Sequence, residues 1–457
     1  MNKFLFILLI LSLNKNLYSH QFSDSTIKNI IISDVIITGN DVTKPDIILR
    51  EIHSKKGTPL DLQTLQDDVN RLYNLKLFSK VEVFPVPESY DSMKLIFDVQ
   101  EMFYIMPIPQ AGFKEGSIKK FWAGLRLNWR NFRGRNESLN FSFGLGYEPF
   151  IGLSYSVPWI TDDRYSIGGG VRYSRNYNKS PQTFDPNQVI NVKDIDRYAI
   201  DNFDANLRIG KRLNLDISVS SSFTYNMIKH SEFKEGRTIS TSGTDKYTGF
   251  IQNFTYDTRN LFSYTSAGYL LSLDYYKYGI FNKDIDFNRI KMDSRKFIPI
   301  KISDNYSITF ANRVYTAISF GGLIPNYLNE YFGYREIIRG WDNRIMEGEN
   351  AAAIFTEFRF PIIKPFFIEG KSIPVVKKIG LINRFSYQFG LYLTAFFDVG
   401  GVWDKNNNFF KTQFRNGYGA GLNLILPFNL IGRADVGFRK QNGLYYSQVI
   451  FGLDASF

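Results

Sequence analysis

The chain has 457 residues, no cysteine, 16% aromatic side chains and a formal net charge of +11. Lacking cysteine, it has no disulfides, no thiolate metal site and no cysteine nucleophile, and its scattered Lys and Arg form no basic stretch of the kind that marks nucleic-acid binding. After residue 20 no apolar run is long enough for a spanning helix; this excludes a helical membrane protein but leaves open a barrel, in which only every second residue meets lipid.

Residues 1–19 read as a secretory signal: Lys3 gives a positive start, Phe4 to Leu13 is almost continuous hydrocarbon, and Leu17-Tyr18-Ser19 ends in a small residue. Residues 28–101 then form a unit of their own. Ile31, Val35 and Ile37 share one face of a strand that stops at Gly39-Asn40. Thr43 is the expected N-cap of a helix reaching about His53, with Pro45 in its first turn. Asp61 caps a second helix, in which Leu62, Leu65, Val69 and Leu72 recur at helical spacing. Two alternating strands follow, at Val81-Val83 and at Met93 to Val99. The order is strand, helix, helix, strand, strand: a small α+β (βααββ) domain.

This segment, with its strings ITGNDVTKPDIILREI and RLYNLKLFSKVEV, resembles a POTRA domain of the BamA/TamA superfamily of outer-membrane assembly and translocation barrels. The resemblance implies a periplasmic module that binds extended client or partner segments by adding a strand to a sheet edge. The edge it points to is Val81, Val83 and Phe84.

Residues 102–457 alternate in the manner of a transmembrane antiparallel β-barrel, which makes the protein mainly β. Segments starting near Ile105, Phe121, Leu139, Ile151, Tyr165, Ile200, Leu215, Lys246, Gly268, Asn288, Ser307, Ala351, Tyr387, Gly417, Ile431 and Tyr445 give about sixteen strands, an even number. In the last segment Tyr445, Val449, Phe451, Leu453, Ala455 and Phe457 share one parity. That makes it a lipid-facing closing strand with Phe457 as its terminal targeting aromatic. Tight connections such as Glu148-Pro149 and Leu426-Pro427-Phe428 are expected on the periplasmic side, and long ones, with 176–197 and 320–350 the longest, outside. Pro107 and Pro109, two residues apart on the first strand, lack N–H groups on one side. If that side meets the last strand, the closing seam is weak.

The long loop carries Ile338-Arg339-Gly340-Trp341, which resembles the superfamily's lid motif. The family usually has Phe or Tyr where Trp341 stands. The resemblance implies that the loop folds back into the lumen. Alternation turns Glu357, Arg359 and Asp398 inward. FTEFRFP and AFFDVGGVWD resemble the family strands whose acids hold the lid arginine, so Arg339 is expected to pair with Asp398, with Glu357 near it. Asp257-Thr258-Arg259-Asn260 resembles another family turn and reads as structural.

Catalytic chemistry is not encoded in any motif. The three histidines, His20, His53 and His230, form no cluster of metal spacing, and no GxSxG, P-loop or GxGxxG occurs. The expectation is therefore a non-enzymatic protein without cofactor or metal, in the bacterial outer membrane, with its POTRA domain in the periplasm. The first functional reading is an assembly factor that inserts other barrels. The alternatives are a polypeptide-secretion pore and a structural surface-antigen barrel. Expected partners are unfolded outer-membrane proteins or a secreted polypeptide, outer-membrane lipid and accessory lipoproteins, with no nucleic acid.

Overall fold

The computed structural model describes residues 30–457 apart from 114–117, 161–163, 179, 182–185, 232–236, 283, 334–335, 379, 381, 408, 428–429 and 454–456. The expected signal segment, His20 and residues 28 and 29 lie outside the described residues.

The first domain comprises β1 (Ile31–Thr38), α1 (Pro45–Leu49), α2 (Leu62–Asn74), β2 (Phe78–Pro87) and β3 (Ser92–Glu101). Its sheet has the order β1-β3-β2, with β1 parallel and β2 antiparallel to β3. Leu65 and Leu72 from the apolar stripe of α2 pack on Ile32, Leu95 and Phe97 of the sheet. Asp61 caps α2 by accepting from the Thr64 N–H at 2.8 Å. The expected cap at Thr43 is corrected: α1 starts at Pro45 after Lys44, has no side-chain cap and ends at Leu49. The Thr43 hydroxyl is instead committed to Glu101 at 2.5 Å and to the barrel residue Asn131 at 2.9 Å.

The next strands are β4 (Ile105–Phe113), β5 (Phe121–Phe132), β6 (Glu137–Gly146), β7 (Phe150–Val157) and β8 (Tyr165–Tyr177). After the short β9 (Ile190–Asn191) come β10 (Ala199–Arg212), β11 (Ile217–His230), β12 (Thr244–Asp257), β13 (Gly268–Ile280), β14 (Phe287–Ser303) and β15 (Tyr306–Gly321). Two short strands, β16 (Glu330–Phe332) and β17 (Arg344–Gly348), belong to the long loop. The chain finishes with β18 (Asn350–Glu369), β19 (Ser386–Trp403), β20 (Arg415–Leu426), β21 (Leu430–Gln441) and β22 (Leu444–Gly452). Sixteen of these form one sheet from β4 to β22, with β9, β16 and β17 outside it. Leu153, Val171, Leu207 and Phe223 are exposed on its outer face, so the opposite parity lines a lumen.

β4 leaves the first domain, so connections after β4, β6, β8, β11, β13, β15, β19 and β21 lie at the far end. Glu148-Pro149 is therefore a far-end turn, bonded to the end of β8 by the Arg175 N–H on the Pro149 carbonyl at 2.9 Å, a correction of its expected periplasmic-side position. The near end carries a long connection, 370–385, with a short helix at Pro374–Lys377. Strand direction decides the side, and loop length alone does not.

The first domain lies across the near mouth of the barrel. Glu51 accepts from Arg212 at 2.7 Å, and Arg71 donates to Asp216 at 2.8 Å. Asn74 bonds the turn at Asn260 and Phe262. Gln100 accepts from the Ser386 N–H at 3.2 Å.

Candidate functional site

The loop 322–349 between β15 and β18 turns back into the lumen. Its apex is a tight turn closed by the Trp341 N–H on the Ile338 carbonyl at 2.8 Å. Gly340 takes a φ of 96°, in the left-handed region open to glycine at little cost. The turn lies flat on the barrel wall because the wall is bare there. A Cβ on Gly417 would stand 1.8 Å from the Arg339 carbonyl oxygen, and one on Gly437 would stand 2.7 Å from the Gly340 nitrogen.

The wall and loop bring Arg339, Asp398 and Glu357 together. The Arg339 Nε and Nη2 donate to the two oxygens of Asp398, each at 2.7 Å. Its main-chain N–H reaches Asp398 Oδ2 at 3.1 Å, and Nη1 reaches Glu357 Oε2 at 2.6 Å. All three residues are 2% exposed or less. The planar fork of guanidinium donors matches a carboxylate in two parallel bonds, which lysine cannot reproduce. In such a dry site, removing one partner costs about 3–5 kcal/mol, because the other charge stays buried. Trp341 is buried as well, with its Nε1 donating to the Asn416 carbonyl at 2.7 Å. Ile338 is fully buried beside it. Arg439 Nη1 donates to the Gly340 carbonyl at 2.6 Å, and Gln448 of β22 donates to the Asp342 carbonyl at 3.2 Å.

The network continues towards the near end. Glu357 also accepts from Arg359 Nε at 2.8 Å, and Arg359 donates to the main-chain oxygens of Thr265 at 2.8 Å and Phe457 at 3.1 Å. Two carboxylates and two guanidiniums thus alternate as Asp398, Arg339, Glu357, Arg359, with their charges balanced. Phe457 corrects its expected lipid-facing position. Val449, Phe451 and Leu453 are exposed on the outer face, yet Phe457 is buried, its ring 6.3 Å from those of Phe297 and Phe355. β22 ends at Gly452, and Arg359 offers a buried donor to the Phe457 main chain. Ala455 lies outside the described residues.

β4 and β22 are the two edges of the sixteen-stranded sheet and are not paired with each other among the described residues. The Arg130 N–H donates to the Tyr104 carbonyl at 2.7 Å, so even-numbered backbone positions face β5 and odd-numbered ones face away. Pro107 and Pro109 are odd. Both missing donors therefore fall on the free edge of β4.

β2, which carries the expected client-binding residues Val81, Val83 and Phe84, is an edge strand of its three-stranded sheet. The Val81 N–H points outward and is taken by the Tyr73 hydroxyl at 3.0 Å. Pro85 and Pro87 share its parity and carry no N–H. Val83 keeps the one outward amide of this run. The side chains of Val81 and Val83 turn into the domain core, and Phe84 is exposed.

Gly417, Gly437, Arg439 and the roles of Arg359 escaped the sequence reading. Glycines at 417, 419 and 421, all of inward parity, were the available signal for a close backbone approach. His230 is buried against Tyr198 and Tyr327. Asp257 and Arg259 pair with each other at 2.8 Å, a local structural contact.

Residues 131–457 match the family described as the Omp85 superfamily domain, and residues 30–102 match the POTRA family, described as a surface antigen variable number repeat. The chain is 27% identical over 132 residues to outer envelope protein 80, chloroplastic, of Oryza sativa subsp. japonica, covering 26% of this chain and 19% of that protein. It is 31% identical over 70 residues to outer membrane protein assembly factor BamA of Nitratidesulfovibrio vulgaris, covering 15% of this chain and 9% of that one. The matched stretches thus span less than a fifth of either relative. Among solved structures, CdiB from Escherichia coli is similar with a TM-score of 0.59 at 12% identity, covering 93% of this chain and 76% of that chain. BamA from Haemophilus ducreyi lacking POTRA domains 1–3 gives 0.51 at 17% identity, covering 92% and 83%. These two likenesses concern the fold. By the family match over most of its length, the chain belongs to the Omp85 superfamily, as a barrel preceded by one POTRA domain.

Proposed function

We propose that this protein is a bacterial outer-membrane assembly factor that inserts other barrels, with residues 1–19 removed as a signal, residues 28–101 in the periplasm and residues 102–457 in the membrane. The observation that carries the reading is the unpaired seam. β4 presents a free edge to β22 on which Pro107 and Pro109 have removed two donors. A client strand can add to the remaining backbone groups there without first breaking a closed ladder. The lid, anchored through Arg339, Asp398 and Glu357, keeps the loop packed inside the barrel while the seam works. Its clients are unfolded outer-membrane proteins, its surroundings are outer-membrane lipid, and accessory lipoproteins are candidate helpers. Neither a cofactor nor an enzymatic step enters this scheme.

The test is reconstitution of the mature chain in liposomes with an unfolded small barrel as client. The expected result is faster client folding than in empty liposomes, and loss of that acceleration in Arg339→Ala. No acceleration, together with ion leakage from the vesicles and export of one cargo, would replace this reading with the secretion pore. Loss of heat stability alone would leave a structural barrel.

A further inference from the structure

The lumen has two unlike walls. On the wall that holds the lid, arginines have carboxylate partners: Arg289 with Glu330 at 2.7 Å, Arg295 with Asp293 at 2.7 Å, Arg313 with Asp293 at 2.9 Å, and Arg339 with Asp398. The opposite wall, β5 to β10, is built differently. Its inward positions are mostly glycine, serine and asparagine, interrupted by Arg126, Arg130, Arg172 and Arg208, and at the near end by Arg212, which Glu51 of the first domain holds. Arg126, Arg172 and Arg208 are exposed although they point into the barrel, so they stand in lumenal water. Among the described residues none of Arg126, Arg130, Arg172 and Arg208 has an ion pair within hydrogen-bonding reach. Asp204, opposite Arg172, is the one inward carboxylate of these strands.

The spacing is regular. Arg126, Ser142, Gly152 and Arg172 are direct partners along one row across β5, β6, β7 and β8. Neighbouring strands lie about 4.8 Å apart, which puts the two arginine positions roughly 14 Å from each other. Between them only small side chains intervene, and the Arg172 stem lies over Gly152, whose added Cβ would stand 3.6 Å from Arg172 Cγ. An extended polypeptide advances about 3.3 Å per residue, so residues i and i+4 share a face roughly 13 Å apart. Carboxylates at that interval match the two guanidiniums, and Arg208 extends the patch along β10.

We propose that the inner wall of β5 to β10 is a track for an extended acidic stretch of polypeptide, held by Arg126, Arg172 and Arg208. The inference rests on the reading of this barrel as one that handles unfolded polypeptide, and it names the class of segment the lumen accepts.

Binding of a fluorescent twelve-residue Glu-Ser repeat to the detergent-solubilised full chain, followed by anisotropy, tests it. A Gln-Ser repeat is the uncharged control. The parent binds the acidic repeat more tightly, and added salt weakens it. Arg126→Gln, Arg172→Gln and Arg208→Gln together reduce affinity about tenfold, the combined effect of three exposed pairs. Removal of the same charge from outside, by Lys55→Gln, Lys56→Gln and Lys371→Gln, changes it less than about twofold. The triple Arg→Lys variant retains binding, which separates lost charge from a damaged fold. Absence of binding to the parent, equal binding by the Gln triple, or equal loss in the external control overturns the track. Client insertion without peptide binding would remove the track and leave the functional reading; binding without insertion would do the reverse.

Discussion

Replacing Asp398 with alanine leaves the Arg339 guanidinium buried with Glu357 as its one remaining hydrogen-bonded carboxylate. The variant loses two side-chain bonds of 2.7 Å and the 3.1 Å bond from the Arg339 main chain. Because Arg339 is 2% exposed, water cannot replace them while the lid stays seated. Breaking a buried pair costs about 3–5 kcal/mol, and each 1.4 kcal/mol is a factor of ten. The population with its lid displaced should therefore rise by roughly two to three and a half orders of magnitude. Met346 of the lid is 2% exposed, so the rate at which a maleimide labels Met346→Cys reports that population. The chain has no other cysteine. Adding Arg339→Ala to Asp398→Ala should cost far less than the two effects summed, since the charge left stranded is then gone. An Asp398→Ala labelling rate within about threefold of the parent would refute the estimate built on a dry, buried pair.

Three further outcomes follow from the same geometry. Arg359→Gln removes a charged donor to the Phe457 main chain, worth about 1.5–3 kcal/mol; labelling of Phe457→Cys by a water-soluble maleimide should rise at least tenfold in that background. Gly437→Ala forces its new methyl to within 2.7 Å of the Gly340 nitrogen; such overpacking costs about 1–3 kcal/mol, and lid labelling at Met346→Cys should rise accordingly. Arg71→Gln with Arg212→Gln unties the first domain from the turn at 213–216, and spin labels on the two parts should show a broader distance distribution than the parent. Single substitutions should do much less, because each ion pair is partly exposed on its arginine side.

The sixteen strand starts were legible because alternation is a local property, repeated in each segment with apolar residues outward. The strand, helix, helix, strand, strand order of the first domain was legible for the same reason, as was the capping role of Asp61. Inward parity also singled out Glu357, Arg359 and Asp398. What sequence could not supply was distance between segments. Arg359 could be turned inward on paper, but its contact with Phe457 joins residues 98 positions apart and depends on the chain leaving its strand after Gly452. Thr43 had the right type and place for a helix cap, and a tertiary partner, Glu101, claimed its hydroxyl. On β2, the two prolines were visible in the sequence. Their meaning needed one further fact, the Tyr73 hydroxyl on the Val81 N–H, which fixes which parity faces outward.

The most direct measurement is a reversible lock on the seam. Cysteines are introduced in pairs, one within Ile105–Phe113 and one within Leu444–Gly452, and pairs that oxidise to a disulfide are kept. The oxidised protein in liposomes should no longer accelerate client folding, and reduction should restore it. Undiminished client folding with the seam locked would contradict the central claim that β4 and β22 are the working edges.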